Sequence, residues 1–582
     1  MRLNNKLLLF VIFVLFCSFS SIHAQEILKV QEVEPGMQGV GRTVFKGYQV
    51  EEFPVEIIDV MEEQELNKSL ILIKVSGDKI EEAGGIAAGM SGSPVYIDGK
   101  LIGAIGYGWQ NSKHNYGVVT PIEYMLKLFD NEDSINIPSI KEGSPVETKT
   151  PLFISGLSGR ALKRFEKDFS DYGFKVMSAG SSNRSKALAQ TSLQSGSAVA
   201  VQLARGDISI SSIGTLTYKD GDNILAFGHP FFNKGDVNYL LSKAYINGVI
   251  PSNEQPFKLG TPHEKLLGEV NIDRGAGIVG KLKEYPKIIP LRIKVRDNER
   301  GYSNDVNVQL VKDEDILTSL VTNVGLQSID STLDRIGKGT AKVKFTINGR
   351  GLPDRSVERE NIFYSRQDIA ATALYELYQY VNVITNNPFK DINFVDIQVD
   401  IEIENSNKVA LVQEAKVLNK EIKPGDTLEI EVTLHPYRDK TIVKKVFIDL
   451  PEDISPGRAT LIISGGFTGE SYPSIPEEEL NNQQQTNQAI VDGYKDFESI
   501  INDYLEAPTN NQLIVQIYPS YAAPEPPGNG KDIEKEDEKE LNPAIPVEET
   551  SSEIKDYYKT DYVLEGNLSL DIKIEEKNKT EK

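Results

Sequence analysis

The chain has 582 residues, with 85 acidic against 63 basic side chains and a formal charge of −22. That length holds several domains, and that charge argues against nucleic acid or an anionic membrane surface as the main partner. A single cysteine, Cys17, and five histidines without metal-binding spacing exclude a disulfide framework, a cysteine-based zinc site and a HExxH metalloprotease.

Arg2 and Lys6 precede an apolar run over residues 7–17, and a small residue, Ala24, follows. This order of charge, apolar core and small residue predicts a secretory signal over 1–24, cut after Ala24. The alternative is an uncleaved membrane anchor, although the run falls short of the about 20 apolar residues that a span needs. Residues 25–135 read as short β-strands with Gly-rich turns, including strands over 53–60 and 70–75. Within them lies GGIAAGMSGSPVYIDGKLIGAIGYG, residues 84–108. Glycines on both sides of Ser91 let the backbone bend and leave the hydroxyl uncrowded, and Asp98-Gly99 separates two apolar runs as a hairpin turn does. The amides of Gly89 and Ser91 are then free to converge as an oxyanion hole, which makes Ser91 a candidate nucleophile. A tight turn before a hairpin would give the same residues.

Thr120, Pro121 and Glu123 read as N-cap, first helical position and capping-box partner of a helix over 121–128. Residues 131–147 are polar and turn-rich, a linker. An amphipathic helix is predicted over 159–169, and a second β unit over 197–295 completes the region 136–298. An α/β module spans 299–404, with a helix whose Ile369, Ala373, Leu377 and Val381 share a face. Residues 405–470 alternate as in an immunoglobulin-like β-sandwich, and 471–521 read as a helix–strand segment. Residues 522–552 have the composition of an acidic disordered linker. In 553–582, Leu568, Leu570, Ile572 and Ile574 alternate as a final strand before a charged tail.

Three blocks carry a resemblance. Residues 84–108, with Tyr116-Gly117-Val118 and the helix after them, resemble the serine-bearing half of the SpoIVB-type serine peptidases, exported bacterial enzymes of trypsin-like arrangement. The block from Gly214-Thr215-Leu216-Thr217-Tyr218 to Phe227-Gly228-His229 resembles the half with the catalytic histidine. Residues 265–274, ending in Asp273-Arg274, resemble the segment that follows it. The resemblance implies a trypsin-like fold of two β-barrel halves, Ser91 as nucleophile, His229 as general base and Gly89 with Ser91 as oxyanion donors, without metal or cofactor. A triad also needs a group to orient the imidazole. The family places an acid where Ser76 stands here. Asp78 is the first candidate, Asp220, Asp222 and Asp236 are others, and a dyad without a carboxylate is a further option. The family runs histidine before serine, whereas here Ser91 comes first; triads are defined by geometry rather than order.

The fold class expected is mainly β with some α: a two-half barrel peptidase region followed by α/β and immunoglobulin-like modules. The function expected is an exported serine endopeptidase in extracytoplasmic regulatory or self-processing proteolysis. Its partner would be a protein or peptide substrate, itself or a membrane-associated protein, with no nucleic acid and membrane contact only through an uncleaved N-terminal segment. The alternative is a non-catalytic envelope or surface-binding protein built on the same core.

Overall fold

A computed structural model describes residues 25–63, 68–109, 113–130, 146–148, 151–180, 192–466, 494–519 and 554–577. The predicted signal (1–24), nearly all of the 131–147 linker and the acidic stretch 522–552 lie outside the described residues. The chain forms two compact units, residues 1–290 with 307–323, and residues 291–306 with 324–582. The described chain is mainly β.

The first unit holds two closed barrels. The strands of the first are β1 (Gln38–Thr43), β2 (Glu51–Glu63), β3 (Lys68–Val75), β4 (Pro94–Ile97), β5 (Lys100–Gly108) and β6 (Tyr116–Pro121). Their hydrogen-bonded order is β4-β1-β2-β3-β6-β5, and β5 pairs back onto β4. Closure leaves no edge between these six, and alternate side chains (Phe53, Val55, Ile57, Ile71, Ile73, Val75) fill the interior. The β4–β5 hairpin turns at Asp98 and Gly99, both in the left-handed region (φ 48° and 80°), which suits the right-handed twist of its strands. A short strand, β7 (Val146–Glu147), lies along β5.

After β8 (Leu152–Ser155) and β9 (Val176–Ser178) comes the second ring. It comprises β10 (Ala198–Gly206), β11 (Ser209–Asp220), β12 (Asn223–Ala226), β13 (Gly235–Ile250), β14 (Phe257–Arg274) and β15 (Gly277–Leu282), ordered β10-β13-β14-β15-β12-β11. The β10–β11 pairing closes it. Tyr96, Leu101, Ile122 and Met125 of the first barrel share a buried cluster with Leu225, Ile272 and Val279 of the second. The two barrels therefore have an apolar junction.

Helix α1 (Asp78–Ala83) precedes the serine segment, and α2 (Ile122–Leu126) closes the first barrel. The capping expected for α2 is not made. Thr120 belongs to β6 and its hydroxyl donates 2.6 Å to the carbonyl of Gly228, while Glu123 accepts the backbone N–H of Val30 at 2.8 Å. Both groups have long-range partners, so Pro121 takes the N-cap position with no side-chain cap bond. Helix α3 (Gly159–Asp168) buries Ala161 and Phe165, with Phe165 stacked on Phe169.

In the second unit, residues 291–297 of β16 (Ile288–Asp297) run parallel to β20 (Asn393–Glu404). Residues 308–310 of β17 (Tyr302–Val311), which belong to the first unit, pair with β10. Strands β18 (Gly339–Arg350) and β19 (Ser356–Ser365) extend the second unit's sheet in the order β19-β18-β20-β16. Helix α4 (Leu317–Leu333) has no counterpart in the sequence reading. It is buried on nearly every side, and Thr322, Ser328 and Thr332 return their hydroxyls to carbonyls four residues earlier, so no polar face announces it. The helix expected from Ile369 onward is two, α5 (Ile369–Ala373), capped by Asp368, and α6 (Tyr375–Asn386). The C-terminal strands form two four-stranded sheets over one core. One holds β21 (Val409–Val417), β22 (Thr427–Pro436), β23 (Ile442–Asp449) and β27 (Val563–Glu565). The other holds β24 (Gly457–Gly465), β25 (Gln512–Pro519), β26 (Ile554–Lys559) and β28 (Asn567–Ile574). Helix α7 (Phe497–Glu506) leads into β25.

Candidate active site

Ser91 lies in the turn between α1 and β4. Gly89 and Gly92 on either side adopt φ of 93° and 86°, conformations that a side chain disfavours. Within the turn, Met90 N–H donates to Ala87, Ser93 N–H to Met90 and Gly92 N–H to Ile105. Two amides are left out of this bonding. That of Ser91 meets no acceptor among the described residues, and that of Gly89 makes one long bond, 3.4 Å, to the carbonyl of Thr148.

The turn's carbonyls are held from the other barrel. Thr215 donates its N–H to Ser91 O (2.8 Å) and its hydroxyl to Gly89 O (2.9 Å), and the Thr217 hydroxyl donates to Gly92 O (2.8 Å). Behind Thr215 sits Lys258 of β14, fully buried. Its ammonium nitrogen is 2.6 Å from Thr43 Oγ1 and 3.3 Å from Thr215 Oγ1. Burial lowers the Lys258 pKa from 10.5 to about 7, because the charged form loses its water.

His229 lies in the loop between β12 and β13. Phe227 and Gly228 before it are both left-handed (φ 74° and 68°), a strained choice for phenylalanine. The imidazole packs between the rings of Phe227 (5.9 Å between centroids) and Tyr107 (6.3 Å). Nδ1 is 2.7 Å from the carbonyl of Pro230, and a carbonyl only accepts. Nδ1 therefore carries the proton and Nε2 the lone pair, the form a general base needs. The loop beyond is clamped by Asp273, which is fully buried. Its Oδ1 accepts the N–H of Phe231 (2.7 Å), and its Oδ2 accepts those of Phe232 (2.6 Å) and Asn233 (2.9 Å).

The serine turn and the histidine loop meet backbone to backbone. A Cβ on Gly92 would stand 2.4 Å from Phe227 N and 2.0 Å from Thr215 O, and one on Gly106 would stand 2.4 Å from Gly228 O. Glycine at these positions is what lets the barrels approach. Ser91 and His229 are each 1 % exposed, and the Ser91 hydroxyl makes no hydrogen bond to a described residue. Asp78 is exposed at the first position of α1, while the ring nitrogen that a triad acid would face meets the Pro230 carbonyl. Asp220, Asp222 and Asp236 are also exposed, Asp222 in an ion pair with Lys283. The carboxylate that orders the histidine loop is Asp273, whose role the sequence reading missed although it lies in the third block of resemblance. Asp273 follows Val270 and Ile272 at the polar position of their alternation and Lys258 stands between Phe257 and Leu259, so in each case the local pattern predicts exposure where the structure buries the side chain.

Two closed six-stranded antiparallel barrels, with a glycine-flanked serine and a histidine loop where they meet, have the architecture of a trypsin-like serine peptidase. Residues 17–126 match the family model described as SpoIVB peptidase S55, so the serine-bearing half is SpoIVB-like. The matched segment contains Asp78, Gly89 and Ser91, and His229 lies beyond it. No curated protein and no solved structure matches the chain.

Proposed function

We propose that this protein is an exported serine endopeptidase of SpoIVB type that hydrolyses peptide bonds through an acyl-enzyme on Ser91. The observation that carries the reading is the junction of the serine turn with a histidine loop whose Nε2 holds the lone pair. In this mechanism Nε2 of His229 takes the Ser91 proton as the hydroxyl attacks a substrate carbonyl. The amides of Gly89 and Ser91 receive the negative oxygen, and His229 returns the proton to the leaving amine. Water then repeats the sequence and frees the acid. The Pro230 carbonyl holds the ring's tautomer, a task that a carboxylate performs in a full triad. Export rests on Arg2, Lys6, the apolar run and Ala24. The substrate would be an extracytoplasmic protein or peptide, the chain itself included. Hydrolysis of an unfolded protein such as casein by the wild type, absent from Ser91→Ala, is the outcome expected; equal rates in the two would overturn it.

One observation favours a non-catalytic binding protein instead: both residues are buried and the hydroxyl lacks a hydrogen bond to the imidazole. Hydrogen bonds of this kind often tighten only with substrate in place. The casein comparison separates the two readings.

A further inference from the structure

The sheet edge beside Ser91 is occupied by the chain itself. Strand β7 runs antiparallel to β5, Tyr107 opposite Glu147 and Gly108 opposite Val146. One residue on, Thr148 donates both its N–H and its hydroxyl to the carbonyl of Gly106, each at 3.0 Å. Its own carbonyl oxygen then meets the amide of Gly89 at 3.4 Å. Thr148 is 1 % exposed, and its methyl fits where Gly108 has no side chain: a Cβ there would stand 3.3 Å from it.

These contacts have the pattern of a bound substrate. Extended peptides bind by adding a strand to a sheet edge, through backbone hydrogen bonds. A serine endopeptidase further needs the carbonyl under attack aimed at amide donors beside the nucleophile. Val146, Glu147 and Thr148 supply the added strand, and the Thr148 carbonyl meets one of the two donors beside Ser91, the amide of Gly89. The Gly89 contact is long for a hydrogen bond to a ground-state carbonyl, as expected of donors placed for the oxygen once it has moved and become negative. The same segment is the chain's connection between the barrels, after α2 and before β8.

We infer that this connection is the enzyme's own substrate, cut after Thr148, and that β5 residues 106–108 are the edge on which substrates bind. The inference rests on the serine-peptidase reading. Ser91 Oγ bonds to the Thr148 carbonyl carbon while its proton passes to His229 Nε2. The bond from that carbon to the nitrogen of Lys149 breaks as His229 returns the proton to it. A water then hydrolyses the Thr148 ester, giving a carboxylate on Thr148 and a free amino terminus on Lys149. The barrels remain associated through their shared apolar cluster and the Thr215 and Thr217 bonds.

The test follows the purified full-length chain at neutral pH by intact mass and N-terminal sequencing, with fluorophosphonate labelling of Ser91 in parallel. The wild type should yield an amino terminus at Lys149, and Ser91→Ala should stay whole. Thr148→Pro, which cannot donate an N–H to Gly106, should be cut at least about tenfold more slowly yet still be labelled at Ser91. Labelling without a cut after Thr148, or with a cut elsewhere instead, overturns the inference and leaves the peptidase reading standing. Absence of both labelling and cutting in wild type and Thr148→Pro overturns both, and a cut that persists in Ser91→Ala overturns self-processing.

Discussion

The serine turn and the histidine loop are held in opposite ways. The serine turn offers three carbonyls, of Gly89, Ser91 and Gly92, to donors on β11 of the other barrel. The histidine loop offers three amides, of Phe231, Phe232 and Asn233, to one carboxylate on β14 of its own barrel. The serine's geometry therefore depends on how the barrels pack, whereas the histidine's geometry is internal to one barrel. Substitutions at the junction should act on the serine first, and those at Asp273 on the histidine.

The sharpest test of that division is Gly92→Ala. The added Cβ meets backbone atoms of Thr215 and Phe227, which cannot swing aside, and the φ of 86° adds strain. We expect a loss of several kcal/mol in denaturant unfolding together with loss of Ser91 reactivity. Gly36→Ala is the control: φ is 89° but nothing lies within 4 Å of the added atom, so about 1 kcal/mol should be lost. Equal losses would mean that conformation alone, not the approach of the barrels, makes glycine necessary.

Asp273→Asn should come next. It removes the charge from three hydrogen bonds and turns an NH2 toward backbone donors, so about 3 kcal/mol of stability should go. Peptidase activity should fall with it while the Ser91 turn keeps its contacts. Undiminished activity in a folded Asp273→Asn protein would break the proposed link between this carboxylate and the histidine loop.

Lys258 gives a pH-dependent test of the serine side. Its amine titrates near 10.5 in the unfolded chain and near 7 when folded, so between those values the unfolded state binds the extra proton. Its contribution therefore makes the fold more stable as pH rises from about 7 to about 10.5, with a slope of at most about 1.4 kcal/mol per pH unit. Below pH 7 both states carry the proton and the dependence vanishes. Lys258→Met should remove that slope, read as the difference between wild-type and variant unfolding curves; parallel curves would contradict it. Thr217→Val should have the smallest effect, about 1 kcal/mol for the lost bond to Gly92.

What was legible in the sequence follows the same local-versus-distant line. The hairpin at Asp98-Gly99, the glycines around Ser91 and the alternation at Leu568–Leu570–Ile572–Ile574 are local patterns, and the structure has a left-handed turn at the first and β28 at the last. Thr120 read as a helix cap because capping is the short-range use of a threonine there; its partner, Gly228, is 108 residues away. Lys258 drew no notice in the sequence, since nothing near it reveals Thr43, 215 residues off. The stretch 131–147 read as a linker from its polarity, yet its last two residues form β7. Composition is blind to a strand held mainly by backbone bonds.

The central claim is that Ser91 is a nucleophile activated by His229, and covalent labelling tests it most directly. A fluorophosphonate probe, applied to the self-processed chain and to Thr148→Pro, followed by peptide mapping, should place the adduct on Ser91. Ser91→Ala should show no adduct, and His229→Ala should slow labelling by at least about a thousandfold. A folded protein that carries no adduct on Ser91, or one labelled equally fast without His229, would contradict the account.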